Sequence, residues 1–200
     1  MMTIFGKQFS RAWRSRCVVL LCLLAVAGDW LWFSRPVTAS QQLRGYAVSG
    51  VQVIDVVMLS GGPTQLHGIA TEDSEEIQEL LGLLDQYPTN RKWDWSWLLG
   101  EGFGDYNGKD PYSSVWVVLS FRDADGKAGS LQYIVSETGR VQVFEPNRFG
   151  DVPAGVGRFG AEGAKQYFAA LHRFYEQKVD SPLWAPSTPT EEERSTGVDA

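Results

Sequence analysis

Cysteine and histidine are the scarcest chemically active residues in this 200-residue chain, with two of each. Cys17 and Cys22 both lie in an apolar segment near the N-terminus, so everything beyond residue 22 is free of cysteine. That excludes a disulfide framework, a thiolate nucleophile and a cysteine metal site from the rest of the chain. His67 and His172 stand alone, and the His-Glu-x-x-His pattern of a zinc-binding helix is missing. Both histidines read as structural residues, packed or at the surface. A Gly-x-Ser-x-Gly nucleophile elbow is also missing, and no Ser-x-x-Lys stands near a plausible helix start.

Calcium loops fail on position. Counting from Asp105, an EF-hand needs an oxygen ligand at the fifth position, Gly at the sixth and Glu at the twelfth. The chain has Lys109 at the fifth, Gly108 at the fourth and Trp116 at the twelfth. The Asp123 and Asp125 pair before Gly126 is followed by Lys127, and both stretches read as turns. The sequence therefore points to no cofactor and no metal, and away from an enzyme.

What the chain does have begins at its N-terminus. Lys7, Arg11, Arg14 and Arg16 precede an apolar run over residues 17–33 that only Asp29 interrupts. A positive flank followed by a hydrophobic segment marks export with the N-terminus left in the cytoplasm. Two outcomes follow from it. As an uncleaved signal-anchor, 17 residues make about 25 Å of helix, near the lower limit for spanning. Trp30 and Trp32 would then lie at the outer interface, where aromatic rings are favoured. As a cleaved signal peptide, the small-x-small sequences Ala25-Val26-Ala27 and Val37-Thr38-Ala39 supply candidate cuts. A lipoprotein is excluded, because Leu21 precedes Cys22 where a small residue is needed.

The first 39 residues hold five of the 18 Lys+Arg and one of the 24 Asp+Glu, which leaves 13 against 23 and a net charge of −10. So acidic a domain repels phosphate backbones and anionic headgroups, so nucleic acid is not an expected partner. Three segments follow: 1–39 as export helix with a short stalk, 40–180 as the extracytoplasmic domain, and 181–200 as a disordered acidic tail. Residues 34–48 lack a period and read as stalk; the tail holds Pro182, Pro186, Pro189 and three consecutive glutamates.

Within the domain, β-branched residues over 51–59 predict a strand, and residues 65–70 return beside it after Gly61-Gly62-Pro63. Asp73 with Glu76 opens a helix whose Ile77, Leu80, Leu81 and Leu84 recur at helical spacing. Val115, Val117, Leu119 and Phe121 alternate with Trp116 and Val118, so both faces of that strand are apolar and it belongs in a sheet interior. Residues 131–135 and 141–144 continue a meander through tight turns. Ala164, Tyr167, Phe168, Leu171 and Tyr175 form the stripe of a second helix. The order β-β-α-β-β-β-α predicts an α+β fold, an antiparallel sheet of about five strands covered on one face by two helices.

The most unusual stretch is Arg91-Lys92-Trp93-Asp94-Trp95-Ser96-Trp97. In an extended chain Trp93, Trp95 and Trp97 project to one side at intervals of about 7 Å. Such a row, with Arg91 beside it, could stack on sugar rings or grip a protein partner. In a helix Trp93 and Trp97 share a face, and filling the core is the third reading. The functional expectation is a non-catalytic binding or accessory module of a bacterial cell envelope. It is held by a single-pass membrane helix, or secreted if the segment is cut. Its candidate ligand residues are Arg91, Trp93, Trp95 and Trp97, toward an envelope protein or a cell-wall glycan. The different-class alternative is a small envelope hydrolase using Glu101, Asp105 and Asp110. Oligomeric state leaves no signature in the sequence.

Overall fold

The computed structural model describes residues 11–58, 64–90, 112–122, 125–144, 155–156 and 160–187, without the side chains of 11–15, 33, 58, 112, 155–156 and 160–161. The chain divides into two compact units, residues 1–35 and 36–200.

The described residues of the first unit form one helix, α1 (Arg11–Phe33), and the short segment after it. Val18, Val19, Leu20, Leu21, Leu23, Leu24 and Val26 are each more than half exposed, as are Leu31 and Trp32. The Arg35 guanidinium lies 4.0 Å from the Trp32 ring. Among the described residues no helix is long and apolar enough to cross a membrane.

The second unit is α+β. Its strands are β1 (Pro36–Val37), β2 (Ala47–Met58), β3 (Gln65–Thr71), β4 (Thr89–Asn90), β5 (Tyr112–Arg122), β6 (Ala128–Ser136), β7 (Val141–Phe144), β8 (Gly155–Val156) and β9 (Ala185–Ser187). Its helices among the described residues are α2 (Ala39–Gln42), α3 (Ser74–Asp85) and α4 (Gly160–Lys178). Among the described residues seven strands form one antiparallel sheet in the order β8-β7-β6-β5-β2-β3-β9, and β1 pairs with β4 apart from it. The expected five strands are all present, with β8 and β9 added at the edges. β5 is interior, between β2 and β6, as its two apolar faces require.

Register explains the core. Ile69, Val53, Val117, Tyr133 and Val143 lie opposite one another across five strands, and Val51, Leu119 and Leu131 form the next row. Directly paired residues share a face, so these rows make one apolar surface. Ile77, Leu80, Leu81 and Leu84 of α3 and Ala164, Tyr167, Leu171 and Phe174 of α4 complete the same cluster. α3 starts where its sequence indicates, with the Asp73 side chain accepting bonds from the backbone N–H groups of Glu75 and Glu76. Tyr87 stacks on Tyr167, linking the end of α3 to α4.

Two boundaries differ from the sequence reading. The expected stalk is part of the fold. Thr38 and Gln41 form a reciprocal capping box around α2, the Ser40 backbone N–H donates to Asp85, and Ala39 and Leu43 are buried in the core. The compact unit thus begins at Pro36, ahead of the expected boundary at residue 40. The tail also starts later than Ser181. Trp184 is 4% exposed, packed edge-on against Phe174, and β9 pairs with β3. Residues 188–200 lie outside the described residues.

Candidate functional site

The residues singled out by sequence, Arg91, Trp93, Trp95 and Trp97, lie outside the described residues, as do Glu101, Asp105 and Asp110. The structure draws attention to a different place. β2 alternates Val51, Val53 and Asp55 along the face that α3 and α4 cover, so an acid occupies a position patterned for a valine. Asp55 lies opposite His67 on β3 and opposite Val115 on β5. Its side chain is 13% exposed.

α4 supplies the other half. Tyr167, Leu171 and Phe174 form its buried stripe, and Phe168, His172 and Tyr175 run beside it, one position on, at the edge of the core. His172 Nε2 is 3.9 Å from Asp55 Oδ1, and His172 Nδ1 is 3.7 Å from Glu176 Oε1 one turn on. These are charge contacts, longer than hydrogen bonds. The Phe168 ring is 5.7 Å from the imidazole, centre to centre. Asp55 Oδ1 is buried and makes no hydrogen bond.

Burial raises the pKa of Asp55, because a carboxylate loses its hydration there; His172 and His67 oppose that effect and Glu176 adds to it. Tyr175 is raised for the same first reason, burial, with the Asp55 charge contributing. Among the described residues no set of three or more His, Cys, Asp or Glu is arranged to hold a metal ion.

A second polar cluster is structural. Lys178 Nζ lies 2.6 Å from Glu76 Oε2 and 2.7 Å from Glu79 Oε2, and the Trp184 indole N–H donates to Glu76 Oε2 at 2.8 Å. The Lys178 hydrogen bond lowers the pKa of Glu76, with burial opposing and the Trp184 bond assisting. Burial works against the Lys178 charge, but its bonds to Glu76 and Glu79 outweigh that and raise its pKa. This cluster ties α3, α4 and the segment carrying β9 together.

The sequence reading left both histidines as isolated structural residues. The sequence does carry one signal for the cluster: Asp55 stands at a core-facing position of a strand, and a buried charge needs a partner. Compared with protein families, curated proteins and solved structures, the chain matches none.

Proposed function

We propose that the chain is a non-catalytic binding or accessory module, carried on the outer side of a cell membrane by α1. Among the described residues α1 falls short of a spanning helix, so the reading is carried by the exposed apolar surface of α1 together with the basic flank before it. Its apolar side chains are exposed along the whole run from Val18 to Val26, so they form a complete collar rather than one stripe. A helix apolar on every side needs an apolar surround, and a bilayer supplies one. The basic residues before the run set the direction, with the acidic α+β unit outside. Trp30, Trp32 and Arg35 supply the aromatic and cationic groups that favour a membrane–water interface.

The test is a C-terminal fusion to a phosphatase active only outside the cytoplasm, with alkaline extraction of membranes and intact-mass measurement. Phosphatase activity in an extraction-resistant, full-length product supports the anchored module. A soluble exported product shortened at Ala27 supports the secreted alternative. A product that stays in the cytoplasm overturns both.

The ligand surface belongs to Arg91, Trp93, Trp95 and Trp97, on the strength of their alternation and of the cell-wall glycan outside a bacterial membrane. Sedimentation with insoluble peptidoglycan tests it. Retention of the full-length chain, lost when the three tryptophans become alanine, supports a glycan contact. Equal sedimentation of both forms removes it. Turnover of the wall polymer, abolished by Glu101→Gln, Asp105→Asn or Asp110→Asn, would establish the hydrolase reading instead.

A further inference from the structure

The Asp55 cluster has the composition of a proton-binding site, independently of any membrane. Every described element around Asp55 contributes to the count. β3 presents His67, α4 presents His172, Tyr175 and Glu176, and β5 presents the uncharged Val115. With the carboxylates ionised, two negative groups flank His172, and among the described residues no Lys or Arg makes an ion pair with either. Asp55 Oδ1 is then a buried charge without a hydrogen bond.

One proton from solvent relieves this from either position. On His172 it creates a cation between Asp55 and Glu176, at 3.9 and 3.7 Å. On Asp55 it removes the buried charge altogether. We propose that Asp55 and His172 form a proton-dependent clasp between β2 and α4, tightened when the pair holds a proton and loosened when it does not.

The direction of the Asp55 shift agrees with this. Its carboxyl is raised by burial, so the folded chain holds that proton more firmly than the unfolded one. Linkage then requires that the site's contribution be present at low pH and fade as pH rises through the folded value. The same two turns of α4 carry Phe174 and Lys178, which pack against Trp184 and bond Glu76. Loosening at His172 therefore also bears on the attachment of β9.

The experiment uses the full-length chain in mild detergent, melted between pH 4.5 and 8.0, above the ordinary carboxylate range, beside Asp55→Asn, His172→Gln and His67→Gln. Wild type should melt about 2–4 °C lower at the upper pH, the shift expected when roughly one interaction of ordinary strength is lost from a domain of this size. Asp55→Asn should remove that difference and melt above wild type at pH 8.0. His172→Gln removes a contact that holds the Asp55 pKa down and should keep or enlarge the difference, and His67→Gln should act in the same direction more weakly. An Asp55→Asn profile with the wild-type slope overturns the clasp. If that variant does not fold, hydrogen exchange of wild-type α4 amides decides, after correction for intrinsic pH effects. A protection loss of about tenfold toward pH 8.0, the factor carried by one unit of proton affinity, supports it. Unchanged protection overturns it.

Discussion

Trp184 donates its indole N–H to Glu76 Oε2 across 108 positions of sequence, inside the protein. The bond joins a segment that reads as tail to the first turn of α3. Glu76 accepts it on the oxygen that also faces Lys178. Trp184 is thus both a hydrogen-bond donor and, against Phe174, a packed ring.

Trp184→Ala should destabilise the fold by about 3–5 kcal/mol, the usual cost of deleting a large buried aromatic. Trp184→Phe keeps most of the packing but orphans one acceptor lone pair, so its loss should be smaller. Urea denaturation followed by far-ultraviolet circular dichroism separates the two. Equal midpoints for Trp184→Ala and wild type would remove Trp184 from the core.

Glu76 gives the fold a lower pH limit. Its folded pKa lies below the ordinary 4.5, so its contribution is complete above that value and is lost as pH falls through the folded one. Denaturation midpoints should drop on acidification from pH 5 to 3, and Glu76→Gln should lessen the drop. Lys178→Met, which leaves Glu76 largely buried and unpaired by charge, should cost about 3 kcal/mol near neutral pH.

Gly68 is fixed by the strand beside it. A Cβ at this position would meet both the backbone oxygen and the hydroxyl of Ser187 at 2.7 Å. Gly68→Ala should loosen β9, at a cost of about 1–3 kcal/mol by overpacking. Hydrogen exchange at the β3 edge should rise while β5 and β6 stay protected. Unaltered exchange at β3 would mean that β9 is not seated there.

Thr38 caps a four-residue helix within the supposed stalk. Thr38→Ala should cost about 1 kcal/mol, readable as a lower denaturation midpoint. A residue in a free stalk would change nothing.

The long periodic elements were legible because they repeat. α3 shows its cap at Asp73 and four leucine-type anchors, and β5 shows two apolar faces; each announces its environment over many residues. The short pieces carry no such period. β1 has two residues and α2 has four, so their membership in the fold rests on Thr38, Ala39 and Leu43 finding distant partners. β9 was hidden by its own composition. Pro186 suggests a loop, yet an edge strand tolerates proline because its N–H is not needed by a further neighbour. The pairing of Asp55 with His172 was beyond sequence reading because it depends on how α4 lies over the sheet. The tryptophan segment chosen as the ligand site lies outside the described residues.

The order of strands also sets how this protein can reach its folded state. β2 sits at the heart of the sheet, yet its partner β5 comes only after β3, α3 and β4 have been made, and β9 follows every other element. Gln52 bonds Ser187 across 135 positions. Contacts this distant in sequence raise the contact order and slow folding, since long loops must close before any pairing rewards them. The edge beside β3 stays open until the segment carrying β9 is available, whatever the order in which the other strands pair.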